Sequence, residues 1–269
     1  MTDRYCVIGN PVAHSKSPEI HPVYAAQTGQ DLVYERCLAP LDGFAATVAR
    51  LVAQGYRGAN VTVPFKLEAV KVCTRLEERA RAAGAVNTLV FADGEIIGDN
   101  TDGPGLVADI TRNAGVAIAG ARVLLLGAGG AARGALLPLV RQGPREIVIA
   151  NRTAATAARL AQEFARYGVA LAATGFEGIA GRFDIVINAT SSSLAGELPP
   201  LPPAVFGPDT LALDMMYGSE PTVFMAFAAS HGARTRDGLG MLVEQAAEAF
   251  AIWRGVRPET AEVFKQLRP

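Results

Sequence analysis

The sequence predicts an α/β fold with a mostly parallel sheet, on three observations. Short apolar runs alternate with longer segments of helical periodicity, the pattern of repeated βαβ units. One apolar run ends in a glycine-rich turn, "LLLGAGGAA", that leads straight into a helical pattern. The chain has 269 residues and is 50% apolar, enough for one large domain or two modest ones, each with its own core.

In chain order, "RYCVIGNP" reads as a strand ending in a turn. "SPEIHPVYAAQTG" reads as a helix, with Ser17 as N-cap, Pro18 at the first helical position and Gly29 past the end. "LVYERCLAP" is a second strand, "LDGFAATVARLVAQG" a second helix and "YRGANVTVP" a third strand. "FKLEAVKVC" predicts a helix, "LEERARAAGA" a helical turn, and "NTLVFADGEIIGDN" a hairpin turning at Asp93-Gly94. After "NTDGPG" a second unit opens, and "ARVLLLGAGGAARGALLPLVRQGPREIVIANRT" reads as strand, glycine turn, helix and strand. "RFDIVINAT" and "TLALDMMY" add strands, the prolines of "ELPPLPPAVFGP" mark a rigid loop, and "TVFMAFAASHG" is a helix ahead of "ARTRDG". From Gly238 on, "GLGMLVEQAAEAFAIWRG" is one amphipathic helix with Leu242, Ala246, Ala249, Phe250 and Trp253 on its apolar face.

Charge and composition narrow the function. A net charge of -1 with 19% charged residues and no run of one sign argues against a nucleic-acid partner, which needs a basic patch. The N-terminus lacks a basic stretch followed by a long apolar one, and the most apolar segment is broken by glycines and Arg133, so neither a signal peptide nor a membrane partner is expected. Cys6, Cys37 and Cys73 are odd in number and widely spaced, with no CxxC pair; they read as buried free thiols of a cytoplasmic protein. No metal site is expected.

The glycine turn carries the first chemistry. Gly127, Gly129 and Ala132 occupy the positions of a G-x-G-x-x-A fingerprint, preceded by a strand and followed by a helix. Gly127 permits the tight turn, Gly129 lets the backbone approach a pyrophosphate, and Ala132 lets helix and strand pack closely. The helix N-terminus then offers N–H groups and a positive dipole end to the anion. An NAD site places a carboxylate at the end of the next strand; here "IVIANRT" has Asn151 and Arg152, and an arginine pairs with a 2′-phosphate. NADP is therefore the expected cofactor.

Other polar residues stand at strand ends: Ser15 and Ser17 in "AHSKSPEI", Asn87 in "VNTL", Asp102 in "GDNTDG" and Lys66 in "TVPFK". Serine and asparagine suit a ligand bearing hydroxyls and a carboxylate. Taken singly, each has a plainer reading: Ser17 as a helix cap, Asn87 and Asp102 as Asx-turn residues, Lys66 as a solvated helix residue. The residues alone thus indicate a dinucleotide-binding oxidoreductase with a second α/β unit of open role.

Taken together, "GNPVAHSKSP", "GANVTVPFK", "AGAVNTL", "GDNTDG", "LLLGAGGAARG", "ANRT", "INATSS" and "DGLGMLVEQAAEAF" resemble the shikimate dehydrogenase family, in order and spacing, over essentially the whole chain. The resemblance implies two lobes around a cleft: a Rossmann NADP-binding domain at 103–237 and a discontinuous α/β substrate domain made of 1–102 and 238–269. It implies NADP-dependent, reversible reduction of 3-dehydroshikimate to shikimate in aromatic amino acid biosynthesis, by a monomer or homodimer. Lys66 and Asp102 match the family's catalytic pair. Ser15 and Ser17 match the groups for the substrate carboxylate, Thr62, Asn87 and Gln245 those for the ring hydroxyls, and Tyr217 one that closes over the carboxylate end. Gly127, Ala128, Gly129, Gly130 and Ala131 face the pyrophosphate, Asn151, Arg152 and Thr153 the adenosine phosphate, and Thr190, Met215 and Gly238 the nicotinamide. One departure concerns the cofactor. The family's usual "NRTxxR" carries a second arginine where this chain has Thr156, with Arg159 a turn later, which leaves room for some use of NAD.

Overall fold

The protein is described from a computed structural model over residues 2–268. Residues Leu106–Met241 form one compact unit, and the segments before and after them form the other; the divisions fall inside two helices.

The first unit opens with β1 (Asp3–Gly9), α1 (Ser17–Thr28), β2 (Leu32–Leu38), α2 (Phe44–Ala53) and β3 (Gly58–Val61). It continues with α3 (Lys66–Val72), the short β4 (Arg75–Leu76), α4 (Glu78–Ala83), and the hairpin β5 (Thr88–Ala92) and β6 (Glu95–Asp99). Asp93 and Gly94 turn this hairpin with φ of 53° and 78°, the left-handed pair that a two-residue loop needs. The sheet order is β2-β1-β3-β5-β6-β4, with β5 antiparallel to both neighbours and the other pairs parallel. One face is packed by Ile8, Phe44, Phe65, Val86 and Leu89.

After α5 (Asp102–Ala108) the second unit has β7 (Arg122–Leu126), α6 (Gly130–Val140), β8 (Glu146–Ala150), α7 (Ala154–Phe164), β9 (Leu171–Thr174), β10 (Ile185–Asn188), β11 (Leu211–Asp214), α8 (Val223–Ser230) and β12 (Arg234–Arg236). Its sheet runs β12-β11-β10-β7-β8-β9, all parallel. β7, β10 and β11 are apolar except for one end residue each, Arg122, Asn188 and Asp214, because helices cover both faces of such a sheet. Strand order reverses between β7 and β10, so the crevice that receives a ligand in this topology opens at their carboxyl ends.

The chain then returns to the first unit through α9 (Leu239–Arg254) and α10 (Ala261–Leu267). Val243, Ala246, Ala247 and Phe250 of α9 bury against Ile20 and Tyr24 of α1 and Val263 of α10. Trp253 donates its indole N–H to the Leu89 carbonyl at 3.0 Å. It crosses the sheet at Gly58, where a Cβ would lie 2.6 Å from its Nε1.

Several expectations need correction. Ser17 is the first helical residue of α1, not its cap: Lys16 stands at the cap and makes no side-chain cap hydrogen bond. Of the three cysteines, all free, Cys6 is buried while Cys37 and Cys73 are half-buried. β4, β9, β12 and α10 lie in stretches too short or too weakly patterned for the periodicity argument to find them, whereas α7, with Ala157, Leu160, Ala161 and Phe164 buried at helical spacing, was legible and missed. No helix of the described residues is long and apolar enough to cross a membrane.

Candidate active site

Lys66 begins α3, Asp102 begins α5, Asn87 precedes β5, and Gln245 lies on α9; the first unit brings all four together. Lys66 Nζ donates to Asp102 Oδ2 at 2.6 Å, with the two side chains 33% and 23% exposed. Asn87 Nδ2 donates to the other carboxylate oxygen, Oδ1, at 2.8 Å. Both Asp102 oxygens therefore accept, and the carboxylate faces a cation on one side and an amide on the other. Asp102 is held from behind as well, its backbone N–H donating to Asn100 Oδ1 at 3.1 Å.

Around this pair the structure gathers a polar cluster. Thr101 donates its backbone N–H to Asn87 Oδ1 at 2.8 Å, and its hydroxyl reaches Gln245 Oε1 at 3.3 Å. Gln245 Nε2 is tied to the Leu242 carbonyl at 2.9 Å, which leaves Oε1 turned toward the cluster. Ser15 Oγ donates to Ser17 Oγ at 3.3 Å and accepts the Ser17 backbone N–H at 3.4 Å. Since Ser17 does not cap the helix, its hydroxyl is free of that duty. Thr62 follows β3, half-buried, and Gly9 on β1 makes room for it: a Cβ there would lie 2.5 Å from the Thr62 methyl. Sequence reasoning missed Thr101. Its place beside Asp102 in "DNTDG" was the available signal, but a threonine carries no chemistry until its partners are known.

The second unit holds the remaining candidates. Gly127 adopts φ 99°, reserved in practice for glycine, and a Cβ would press on Thr190 at 3.2 Å and on the Ala189 carbonyl at 3.3 Å. The turn after β7 and the loop after β10 thus touch at the point where strand order reverses. Ala132 is fully buried against the sheet. By contrast, a Cβ on Gly129 or Gly130 would meet nothing within 4 Å. That open cradle, beside N–H groups with no acceptor in the first turn of a helix, fits a pyrophosphate. Asn151 donates to the Thr153 carbonyl at 3.0 Å. Arg152 and Thr153 are exposed at the start of α7, where Thr153 makes no side-chain cap hydrogen bond.

Thr190 is oriented by the buried Asn188, which accepts its hydroxyl at 2.7 Å. Asn188 in turn donates to Asp214 Oδ2 at 3.2 Å, an oxygen that also accepts the hydroxyls of Ser193 at 2.6 Å and Thr222 at 2.7 Å. Sequence reasoning missed this Asp214 hub. Met215 and Gly238 pack backbone on backbone, and a Cβ at Gly238 would lie 2.1 Å from the Met215 carbonyl. Tyr217 lies in this second unit, exposed. Among the described residues no group of three or more His, Cys, Asp or Glu side chains could hold a metal ion.

Comparison with known proteins adds the following. Residues 7–89 match the family described as "Shikimate dehydrogenase substrate binding domain", 109–195 "Shikimate / quinate 5-dehydrogenase", and 238–268 "Shikimate 5'-dehydrogenase C-terminal domain". The chain is 64% identical to the shikimate dehydrogenase (NADP(+)) of Janthinobacterium sp. (strain Marseille), covering 99% of this chain and 97% of that one. Among solved structures it is similar to an Ael1 enzyme from Pseudomonas putida, with a TM-score of 0.94 and 49% identity over 99% of this chain and 98% of that chain. It is also similar to the shikimate 5-dehydrogenase of Thermus thermophilus in complex with NADP(H) and shikimate, with a TM-score of 0.86 and 31% identity over 99% of each.

Proposed function

The chain belongs to the shikimate dehydrogenase family, and on that premise we propose which of its residues carry the family's reaction and how. The reaction is the NADP-dependent, reversible reduction of 3-dehydroshikimate to shikimate in aromatic amino acid biosynthesis. The observation that carries the residue assignment is the Lys66–Asp102 pair at 2.6 Å with Asn87 on the second carboxylate oxygen.

Bound NADPH supplies a hydride to the ketone carbon. The carbonyl oxygen would be left as an alkoxide unless a proton arrives with it, and Lys66 gives that proton. In the reverse direction Lys66 takes the proton from the substrate hydroxyl. A free lysine, with a pKa of about 10.4, orients poorly and holds its proton tightly; Asp102 holds the ammonium in one place, and the Asn87 amide holds Asp102. Ser15 and Ser17 hydroxyls bind the substrate carboxylate, Thr62, Asn87 and Gln245 its ring hydroxyls, and Tyr217 the carboxylate end. Gly127 to Ala131 hold the pyrophosphate, Asn151, Arg152 and Thr153 the adenosine phosphate, and Thr190, Met215 and Gly238 the nicotinamide.

Domain roles follow the same line: 1–102 with 238–269 bind substrate and 103–237 bind NADP. The support is that Lys66, Asp102, Asn87 and Gln245 lie in one compact unit and the glycine turn in the other. The protein acts as a monomer or homodimer in the cytoplasm, a placement supported by its three free cysteines. The test is NADPH absorbance with shikimate and with quinate, each with NADP and with NAD. Turnover is expected to be strongest with shikimate and NADP, with at most minor use of NAD given Thr156. Comparable rates with quinate or NAD would move the chain to a broad-specificity role.

A further inference from the structure

We propose that Thr88, backed by Asn60 and Tyr34, is a positioning residue for this reaction, fixing the Asn87 amide so that its N–H group points at Asp102. The inference rests on reading Lys66 and Asp102 as the acid–base pair. None of the three residues belongs to the set assigned above to substrate or cofactor, and all three are buried.

Two main-chain groups fix which way the two amides in the chain face. The backbone N–H of Thr101 can only donate, so the Asn87 atom 2.8 Å from it is the amide oxygen. The backbone carbonyl of Asn87 can only accept, so the Asn60 atom 3.2 Å from it is the amide nitrogen. Asn60 Oδ1 must then face Tyr34, whose hydroxyl donates to it at 2.7 Å. Burial pushes the Tyr34 phenol well above its ordinary pKa, so it keeps the proton it donates. Asn60 Nδ2 also donates to Thr88 Oγ1 at 3.2 Å, and the single Thr88 proton goes to Asn87 Oδ1 at 2.8 Å, nearer than the Thr101 hydroxyl at 3.2 Å.

The donors therefore all run one way: Tyr34 to Asn60, Asn60 to Thr88, Thr88 to Asn87, and Asn87 to Asp102. Bonds in series polarise one another in a site sheltered from water. Flipping the Asn87 amide would set an N–H group against the Thr101 N–H, take from Thr88 the nearer of its two acceptors, and turn an oxygen toward the Asp102 carboxylate. Thr88 thus helps forbid the orientation in which Asp102 loses its second donor.

The test is T88V, which removes the hydroxyl and keeps the shape, beside T88S, which keeps the hydroxyl. Two readouts are taken: hydrogen exchange of the Asn87 side-chain amide by NMR, and steady-state kinetics. In T88V the amide protons should exchange about tenfold faster and kcat with shikimate should fall about tenfold, the size of one lost buried hydrogen bond, with KM for NADP unchanged. T88S should match the wild type in both. T88V with unchanged exchange and kcat would overturn the proposal, as would T88S falling as far as T88V, which would make the role one of packing alone. Should T88V not fold, Y34F removes the far donor and is expected to speed exchange and lower kcat by about threefold; no change in either overturns the proposal equally. A wild type inactive on shikimate would count against the proposed function, while amide exchange would still decide the role of Thr88.

Discussion

Lys66 and Asp102 are separated by 36 positions, and neither is distinctive where it stands; their chemistry comes from the 2.6 Å between them. Replacing Lys66 by Ala removes the only proton donor assigned to the substrate oxygen. The expected loss in kcat is about 10²–10⁴-fold with NADP binding little changed, measured by single-turnover kinetics and cofactor titration. Near-normal kcat would remove Lys66 from its role. His21 supports a prediction about stability. It is fully buried, stacked on Tyr34 with ring centroids 4.2 Å apart, and neither ring nitrogen meets a partner in hydrogen-bond geometry. Burial pushes its pKa from 6.5 down to about 3, with the nearby Asn60 side chain opposing the shift. Between those values the unfolded chain binds a proton that the folded one does not. His21 therefore costs stability progressively as pH falls from 6.5 toward about 3, by at most about 1.4 kcal/mol per pH unit. Denaturant unfolding across that range should show a shallower pH slope for H21F than for the wild type. Equal slopes would mean the imidazole takes up its proton in the fold.

At the scale of elements, the β7–α6 turn and the contact of Gly238 with Met215 use glycine for opposite reasons, and two alanines separate them. At Gly130 an added Cβ meets open space in the folded protein. G130A is expected to keep or slightly raise the unfolding midpoint while weakening NADP binding, because the methyl group stands where a phosphate approaches. At Gly238 the added Cβ meets backbone at 2.1 Å, so the chain must shift. G238A should lose about 1–3 kcal/mol of stability and bind NADP more weakly. Thermal unfolding with and without NADP checks both; a G130A that binds NADP normally would sink the cradle reading. Element existence was largely legible, because strand and helix periods and glycine caps are local. Ser17 shows the limit: serine before proline is a good cap by composition, yet the turn formed by Ser15 and Lys16 starts the helix one residue early.

Across the whole molecule, α9 closes the first unit from a position more than two hundred residues after α1. Tyr24 donates to the Val243 carbonyl at 3.0 Å, and Tyr24 and Phe250 meet edge to face. Ion pairs reinforce this closure: Arg79 bridges Asp99 at 2.7 Å and Glu248 at 2.9 Å, and Arg257 pairs with Glu244 at 2.7 Å. Because α9 also carries Gln245, its seating and the polar cluster are one problem. F250A should cost about 3–5 kcal/mol and weaken shikimate binding as well, read by denaturant unfolding and by KM. A variant with wild-type stability would show that Phe250 does not hold α9 in place.

By itself the sequence determined the α/β class, the order of most elements and the dinucleotide fingerprint, because each rests on neighbours in the chain: period, turn and spacing; the family came from the resemblance of its motifs along the whole chain. Which face of α9 is apolar was readable for the same reason. Only the tertiary structure decided what that face covers, that Asp102 is shared by Lys66 and Asn87, and that Asp214 gathers the loops after β10 and β11. Those facts depend on groups tens to hundreds of residues apart. A side chain's hydrogen bonds follow from where the fold places its partners, and residue type alone does not carry that information.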